Sequence, residues 1–284
     1  MACYTFEKRE YQDSILFDGV TSLNATYIIY TEGNEERWAN IENQLTEYHP
    51  TKTVYILHNK GWRKCVKPGH IDVTHKDLVD CYFEVFRHAA REGFSRNILV
   101  LEDDFIFDPL IKDPTVIGHI EDFIGDLGDA MYMLGCVPFF QIPTVQGPHR
   151  RCFSMGTQSC IYTKALRDRI LQTNEQDIID WDIYNQNTTK YMYYAPLCYQ
   201  RFTYTENSRH WGEDYGVNWL AKIILEIFIL LGMDSMDPSF GFHFIYWFSY
   251  LFFFLIFIGI IAYYLIGHIG HIGQFQKKRI KIKR

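Results

Sequence analysis

The chain lacks the short motifs that mark several common enzyme classes. It contains no Walker A sequence and no GxGxxG, so ordinary P-loop and Rossmann dinucleotide sites lack the glycines that they need. It contains no GxSxG elbow and no HExxH, which removes the usual signatures of α/β-hydrolases and zinc peptidases. Its seven cysteines are scattered and include no CxxC. This pattern indicates reduced thiols in a cytosol-facing domain rather than a disulfide framework or a zinc site.

Acidic residues clearly outnumber basic residues outside the C-terminus. The last eight residues, KKRIKIKR, hold six of the 28 basic residues. Removing those six charges from the net charge of −6 leaves −12 on residues 1–276. An acidic body argues against nucleic acid as a partner, because phosphate backbones need basic surfaces. The opening residues, MACYTFEKREYQDS, have no apolar core, so we expect no secretory signal peptide.

One long stretch near the C-terminus lacks charge altogether. Residues 242–266 are 25 residues without Asp, Glu, Lys or Arg. At about 1.5 Å of rise per residue, such a helix spans a ~30 Å hydrocarbon core. We therefore predict a transmembrane helix over 242–266 and a basic tail over 267–284. The shorter apolar stretch 219–233 is predicted to be an interfacial amphipathic helix, to pack on the domain, or to form a re-entrant arm.

The orientation of this membrane segment stays open at the sequence level. A single-pass C-terminal anchor places the body in the cytosol and the basic tail across the membrane. The positive-inside tendency would instead keep the tail cytosolic. A hairpin whose first arm is 219–233 reconciles the two. In both arrangements the catalytic domain is predicted to be cytosolic, since the chain shows no signal peptide and its cysteines appear as unpaired thiols.

Ahead of the membrane segment, strand-like and helix-like segments alternate. Branched and aromatic residues predict strands, and apolar residues at helical spacing predict helices. The predicted strands cover 25–30, 53–57, 98–101 and 130–134, and the predicted helices cover 35–48, 74–91 and 163–172. This order implies an α/β domain with a parallel, doubly wound sheet. We predict an N-terminal extension over 1–24 and one catalytic domain over 25–215.

The most informative stretch is NILVLEDDFIF, residues 97–107. A short apolar run typical of a buried strand stops at three acids, Glu102, Asp103 and Asp104. Open α/β sheets bind ligands outside the carboxyl ends of their strands, and clustered carboxylates repel one another unless a cation lies among them. Oxygen ligands there suit Mg²⁺ or Mn²⁺, usually shared with substrate phosphates. The simpler interpretation is a strand that runs into a solvated acidic turn.

Five segments in this order resemble glycosyltransferase family 25, the lipooligosaccharide and collagen sugar transferases. They are YII with ERW (27–29 and 36–38), the helix 78–93 leading into ILVLEDDFIF, GTQSCIY with Ala165 (156–162), IDWD (179–182) and APLCYQ (195–200). The resemblance covers residues 25–210. The chain departs from the family at Thr74-His75, where a Ser-His pair is usual, and in the first turn, Thr31 to Asn34.

The resemblance implies a GT-A fold, which has a Rossmann-like nucleotide-sugar-binding core. It also implies a UDP-sugar donor, a hexosyltransferase activity and a divalent cation, Mn²⁺ or Mg²⁺. Breaking the sugar–phosphate bond leaves negative charge on a nucleoside diphosphate, and a cation bridging the phosphates stabilises that charge. Glu102 and Asp104 fit the outer positions of a DxD-like metal site. Asp103 would contact the donor or a metal-bound water, unless it faces away and is solvated.

An inverting transfer also needs a base that takes the acceptor hydroxyl proton. The candidates are Asp180 and Asp182, with Asp182 preferred and an ordinary helix cap as the alternative. By analogy with GT-A enzymes, His210 is a candidate metal ligand, with a structural or solvated histidine as the alternative. Arg209 is a candidate contact of the donor diphosphate. Arg37 is a candidate contact of the nucleotide, with a surface ion pair as the alternative.

These residues predict a membrane-anchored, metal-dependent glycosyltransferase that moves a sugar to a hydroxyl of a glycan, lipid or protein. Two alternatives stay open. The same acids could serve a metal-dependent phosphohydrolase, which predicts further acids around a second metal. The chain could also be a catalytically inactive GT-A-like module that binds at the membrane.

Overall fold

A computed structural model of the chain describes residues 2–12, 16–17, 23–201 and 218–282. The strands are β1 Tyr4–Glu10, β2 Leu23–Thr31, β3 Thr53–Asn59, β4 Asn97–Glu102, β5 Phe105–Phe107, β6 Met131–Pro143, β7 His149–Tyr162, β8 Lys190–Tyr193 and β9 Cys198–Gln200. The α-helices are α1 Glu35–Glu47, α2 Thr74–Arg91, α3 Pro114–Gly125, α4 Lys164–Leu171, α5 Trp181–Tyr184, α6 Asn218–Leu230 and α7 Ser239–Ile282. Short 3-10 turns lie at Pro109–Lys112, Glu175–Asp177 and Asn185–Asn187.

Seven of the strands form one mixed sheet in the order β1-β3-β2-β4-β7-β6-β8. The strands β3, β2 and β4 are parallel, as predicted. The edge strand β1 runs antiparallel to β3, and β7 runs antiparallel to β4. The sheet is therefore mixed rather than wholly parallel, because β6 and β7 are joined by a short hairpin connection that can only reverse the chain direction. A separate small sheet pairs β5 with β9.

All four predicted strands and all three predicted helices are confirmed. The predicted strand 130–134 is much longer in the structure, where it is β6, Met131–Pro143. Residues 4–10, which the sequence assigns to an N-terminal extension, form β1 and pair with β3 along their whole length.

The sheet is covered by helices on both faces. Alternate residues of β2 point to opposite sides, so Tyr27 lies in the cluster with α2 and α4, and Ile28 lies in the cluster with α1 and α3. This explains why the central strands read as continuous apolar runs, since neither face meets water.

The C-terminal helices pack on the domain before one of them leaves it. In α7, residues Ser239–Tyr264 are long and apolar enough to cross a membrane, which agrees with the predicted segment 242–266. The shorter helix α6 buries Leu225 and Phe228. The stretch 219–233 is thus helical over most of its length, and the three possible placements of this helix stay predictions.

Two of the cysteines form a disulfide. Cys3 and Cys65 are bonded, with their Cα atoms 5.6 Å apart, so the prediction that every thiol is reduced is wrong for this pair. Pairing of β1 with β3 brings residue 3 beside the loop that follows β3, a contact across 62 residues that no sequence spacing reveals. The cysteine pattern therefore does not assign the domain to the cytosol. The free cysteines are Cys81, Cys136, Cys152, Cys160 and Cys198.

Candidate functional site

The acidic cluster lies at the carboxyl end of β4, between β2 and β7. Glu102 is its first member. Its Oε1 accepts hydrogen bonds from the Tyr82 hydroxyl and from Thr157 Oγ1, both at 2.9 Å. Burial raises the pKa of Glu102 to about 8, and the nearby charge of Asp104 adds to the shift. This carboxyl therefore holds a proton at neutral pH unless a cation approaches it.

The second acid, Asp103, faces helix α1 rather than solvent. It forms an ion pair with the guanidinium of Arg37 and accepts the backbone N–H of Thr31 at 3.2 Å. The side chain of Asp103 is 4% exposed, which rules out the solvated alternative. Two residues predicted to contact the donor therefore contact each other, and Arg37 supplies the local positive charge.

The third acid, Asp104, has one carboxylate oxygen without a hydrogen-bond partner among the described residues. Its Oδ2 accepts a hydrogen bond from Gln200 Nε2 at 3.0 Å and lies 3.3 Å from Arg37 Nη2. Its Oδ1 is buried and has no hydrogen-bond partner within the described part of the chain. A buried carboxylate oxygen without a partner costs free energy, so this atom indicates a position for a ligand.

The two aspartates of the IDWD segment have different roles. Asp180 is the N-cap of α5, and its Oδ1 accepts the N–H of Ile183 at 2.9 Å. Asp182 instead accepts the N–H of Gly156 at 3.0 Å. Burial raises the pKa of Asp182 to about 6, and the charge of Asp180 contributes. The helix-cap interpretation thus fits Asp180, whereas Asp182 is held by strand β7 instead.

Two consecutive residues of β7 bring these acids together. Gly156 binds Asp182, and Thr157 binds Glu102. The charge of Asp182 is near enough to raise the pKa of Glu102. Gly156 has φ +88°, a conformation that favours glycine. The acidic strand end and the IDWD segment, 78 residues apart in the sequence, therefore form one site.

Gln158 is a further residue of this region that no sequence motif marks. Gln158 is fully buried, and neither polar atom of its side-chain amide has a hydrogen-bond partner among the described residues. Its Oε1 lies 2.6 Å from the point where a Cβ on Gly156 would stand. The amide is thus beside the glycine that binds Asp182. The sequence placed Gln158 in the GTQSCIY segment without giving it a role, because a lone glutamine in a strand carries no signal.

A cation would find a partial set of protein ligands here. No group of three or more His, Cys, Asp or Glu side chains has metal-holding geometry within residues 2–12, 16–17, 23–201 and 218–264. Mg²⁺ is often held by one or two carboxylates together with substrate phosphates and water. The unpartnered Oδ1 of Asp104, beside Glu102, fits that smaller set. The predicted ligand His210 and the predicted diphosphate contact Arg209 lie outside the described residues.

Comparison with known proteins adds a structural neighbour. No family model matches the chain, and no curated protein sequence is similar to it. Among solved structures, it is similar to a glycosyltransferase involved in the glycosylation of the major capsid of PBCV-1, with a TM-score of 0.31 and 10% identity. The match covers 51% of this chain and 63% of that one, so the chain spans less than two thirds of its neighbour. At this level of similarity the function must be inferred from the site.

Of the eight predicted site residues, six are described, and they lie in one region. Arg37 contacts Asp103 and Asp104, and Asp104 and Asp182 both lie near enough to Glu102 to shift its pKa. Asp180 lies at the margin as a helix cap. The sequence did not single out the three residues that donate hydrogen bonds to the acids, Tyr82, Thr157 and Gln200, or the buried Gln158.

Proposed function

We propose that the chain is a membrane-anchored glycosyltransferase with a GT-A-like domain. It moves a hexose from a UDP-sugar to a hydroxyl of a glycan, lipid or protein, with Mn²⁺ or Mg²⁺ as cofactor. The observation that supports this most is that one site at the end of β4 contains two different carboxyl groups. Asp104 has a carboxylate oxygen without a partner among the described residues, and Asp182 has a raised pKa. Nucleotide-sugar chemistry needs both a place for a cation and a base.

Glu102 and Asp104 are the residues that would hold the cation. The cation would stabilise the negative charge that develops on the departing nucleoside diphosphate. Arg37 keeps Asp103 and Asp104 in place through its two ion pairs. A guanidinium at this position also suits a contact with a donor phosphate, because its N–H groups form a planar fork.

Asp182 is the proposed base. The acceptor oxygen attacks the anomeric carbon and gives its proton to Asp182, while the bond from that carbon to the phosphate oxygen breaks. A single displacement of this kind inverts the anomeric configuration. The Gly156 N–H fixes the carboxylate, and a pKa of about 6 leaves it ionised at neutral pH with useful basicity.

The two other candidate functions have less support. A phosphohydrolase with two cations needs more acids than the described part of the site brings together. A catalytically inactive module has no need for a carboxyl with a raised pKa held by a left-handed glycine.

The domain is proposed to face the cytosol, with α7 as a C-terminal anchor. The five free cysteines support this orientation, and the Cys3–Cys65 bond opposes it, because disulfides are rare in that compartment. Protease added to membranes that expose their cytosolic face digests the domain if the orientation is right. Protection of the domain would place it in the lumen.

The function is tested by donor hydrolysis. Purified full-length chain in detergent is incubated with each common nucleotide sugar, with and without Mn²⁺, and release of the nucleoside diphosphate is measured. We expect release from one UDP-sugar, only with the cation, and none from Asp104→Asn. The exposed, ion-paired Asp168 gives a matched control, Asp168→Asn, which should retain full activity. Release of inorganic phosphate from simple phosphate esters would instead favour the phosphohydrolase.

A further inference from the structure

The helix α7 contacts the domain between its residues 242 and 253. Phe242, Tyr246 and Ser249 are buried against the domain, and Gln141 Nε2 donates to Tyr246 O at 2.7 Å and to Ser249 Oγ at 2.6 Å. The last contact is between the rings of Phe253 and Phe140, whose centroids are 5.4 Å apart. From residue 254 to residue 264 every side chain is exposed. The helix thus leaves the domain at Phe253.

The free part of the described span is too short to cross a bilayer. Residues 254–264 cover about 16 Å at ~1.5 Å per residue, roughly half of a ~30 Å hydrocarbon core. The bilayer must therefore also cover the bound residues 239–253 of α7 or the uncharged residues 265–276. Phe254, Leu255 and Phe257 are exposed and apolar, so in both placements the bilayer reaches at least as far as Phe254. The part of the domain beside Phe253 then meets the bilayer surface.

That part of the domain is the β6–β7 hairpin with the end of β8. We call its exposed apolar side chains the rim: Phe139 (41% exposed), Ile142 (41%), Val145 (103%), Phe153 (53%) and Tyr194 (46%). Arg150 connects the rim to α7. Its guanidinium lies 3.6 Å from the ring centroid of Tyr250 and 5.9 Å from that of Tyr194, and it donates to Gln141 Oε1 at 2.7 Å.

The charge of the rim differs from that of the rest of the domain. Residues 131–167 contain no Asp or Glu, although the body is strongly acidic. The segment carries Arg150, partly buried, and Arg151, exposed. An acid-free surface with arginines and exposed aromatics suits the interface of a bilayer with anionic lipids.

We propose that the rim inserts into the interfacial layer of the bilayer that α7 crosses, with Arg151 on anionic lipid headgroups. The domain then has two membrane contacts, the helix and the rim, and cannot swing freely on its anchor. A group of exposed apolar side chains such as the rim marks an interaction surface. The bilayer is the partner that α7 already brings beside it.

The test uses full-length chain in lipid nanodiscs that contain anionic lipid, with a nitroxide spin label on an introduced cysteine. Val145→Cys reports on the rim, and Asp72→Cys is the control, because the Asp72 side chain is exposed (63%) but lies in the loop after β3. Collision of each label with oxygen, which concentrates in the bilayer, is compared with collision with a water-soluble nickel complex. Unmodified chain gives the background from native thiols.

We expect oxygen collisions to dominate at position 145 and nickel collisions to dominate at position 72. Nickel-dominated collisions at both positions would show that the rim is in water and would overturn the proposal. A protein partner would then be the alternative for this surface. In nanodiscs of purely zwitterionic lipid, we expect the oxygen preference at 145 to fall. An unchanged preference would overturn the headgroup contact of Arg151, whereas insertion of the rim would stand. Neither outcome depends on sugar transfer, so failure here is separable from failure of the proposed activity.

Discussion

The backbone N–H of Gly156 donates to Oδ1 of Asp182 at 3.0 Å and fixes the carboxylate that we assign as the base. Gly156 adopts φ +88°, and a Cβ there would stand 2.6 Å from Gln158 Oε1. The strand β7 therefore needs a glycine at this position for two independent reasons, its backbone conformation and the buried amide next to it.

Substitution of this glycine should damage activity more than stability. Gly156→Ala places a side chain in a left-handed conformation, which costs about 1–2 kcal/mol, and displaces Gln158. We expect Asp182 to lose its fixed position and turnover to fall strongly, while the melting temperature drops by only a few degrees. Turnover and thermal unfolding of the same preparation check this. Gly125→Ala, at the end of α3 with open space around it, is the matched control.

Substitution of the two aspartates of the IDWD segment should have different effects on turnover. Asp182→Asn removes the base and should lower turnover by about 10²–10⁴-fold, with donor affinity nearly unchanged. Asp180→Asn should keep turnover, because asparagine caps a helix about as well as aspartate. Turnover at saturating donor and calorimetric donor affinity give the two readouts. Collapse of turnover in Asp180→Asn with normal turnover in Asp182→Asn would exchange the two roles.

The raised pKa of Glu102 makes stability fall with rising pH. The folded state holds this proton up to pH about 8, whereas the unfolded chain releases it near the ordinary value of 4.5. Between these values the native state binds more protons, so the free energy of unfolding decreases as pH increases. Glu102→Gln, which cannot ionise, should flatten this dependence. Urea unfolding measures the free energy of unfolding of the two proteins at pH 5.5 and at pH 8. An equal decrease between these pH values in both proteins would show that Glu102 is ionised throughout.

Truncation should show that α6 and residues 239–253 of α7 belong to the domain. Deleting residues 219–284 removes the partners of Gln141, Tyr199 and Cys136, and it leaves their polar atoms and apolar neighbours uncovered. We expect this fragment to aggregate, or to melt well below a chain that ends after Phe253, when both are purified in mild detergent. Equal melting temperatures would show that the helices are only an anchor.

The sequence reveals the local elements of this fold better than their long-range partners. Periodicity locates α2 closely, because its apolar face repeats at helical spacing from Leu78 to Ala89, although Thr74 is its first residue and Val73 its N-cap. It does not reveal that β7 reverses direction, since strand pairing depends on contacts far apart in the chain. The Cys3–Cys65 bond was missed for the same reason.

In the candidate site too, the sequence marks individual residues but not the contacts between distant segments. Glu102, Asp104 and Asp182 are visible in the sequence as acids at the ends of apolar segments. The interaction of Thr157 with Glu102 and the unpartnered amide of Gln158 depend on how β7 lies beside β4, which local pattern does not specify. Arg37 was predicted as a donor contact, and its ion pair with Asp103 required the tertiary structure.

The most direct measurement is calorimetric titration of the full-length chain with UDP, in the presence of Mn²⁺ and in excess chelator. If Asp104 and Glu102 hold a cation that binds the diphosphate, UDP binds with Mn²⁺, and binding is lost in chelator and in Asp104→Asn. Asp168→Asn should bind as the unaltered chain does. Equal UDP affinity in Mn²⁺ and in chelator, or full affinity in Asp104→Asn, would contradict the central claim.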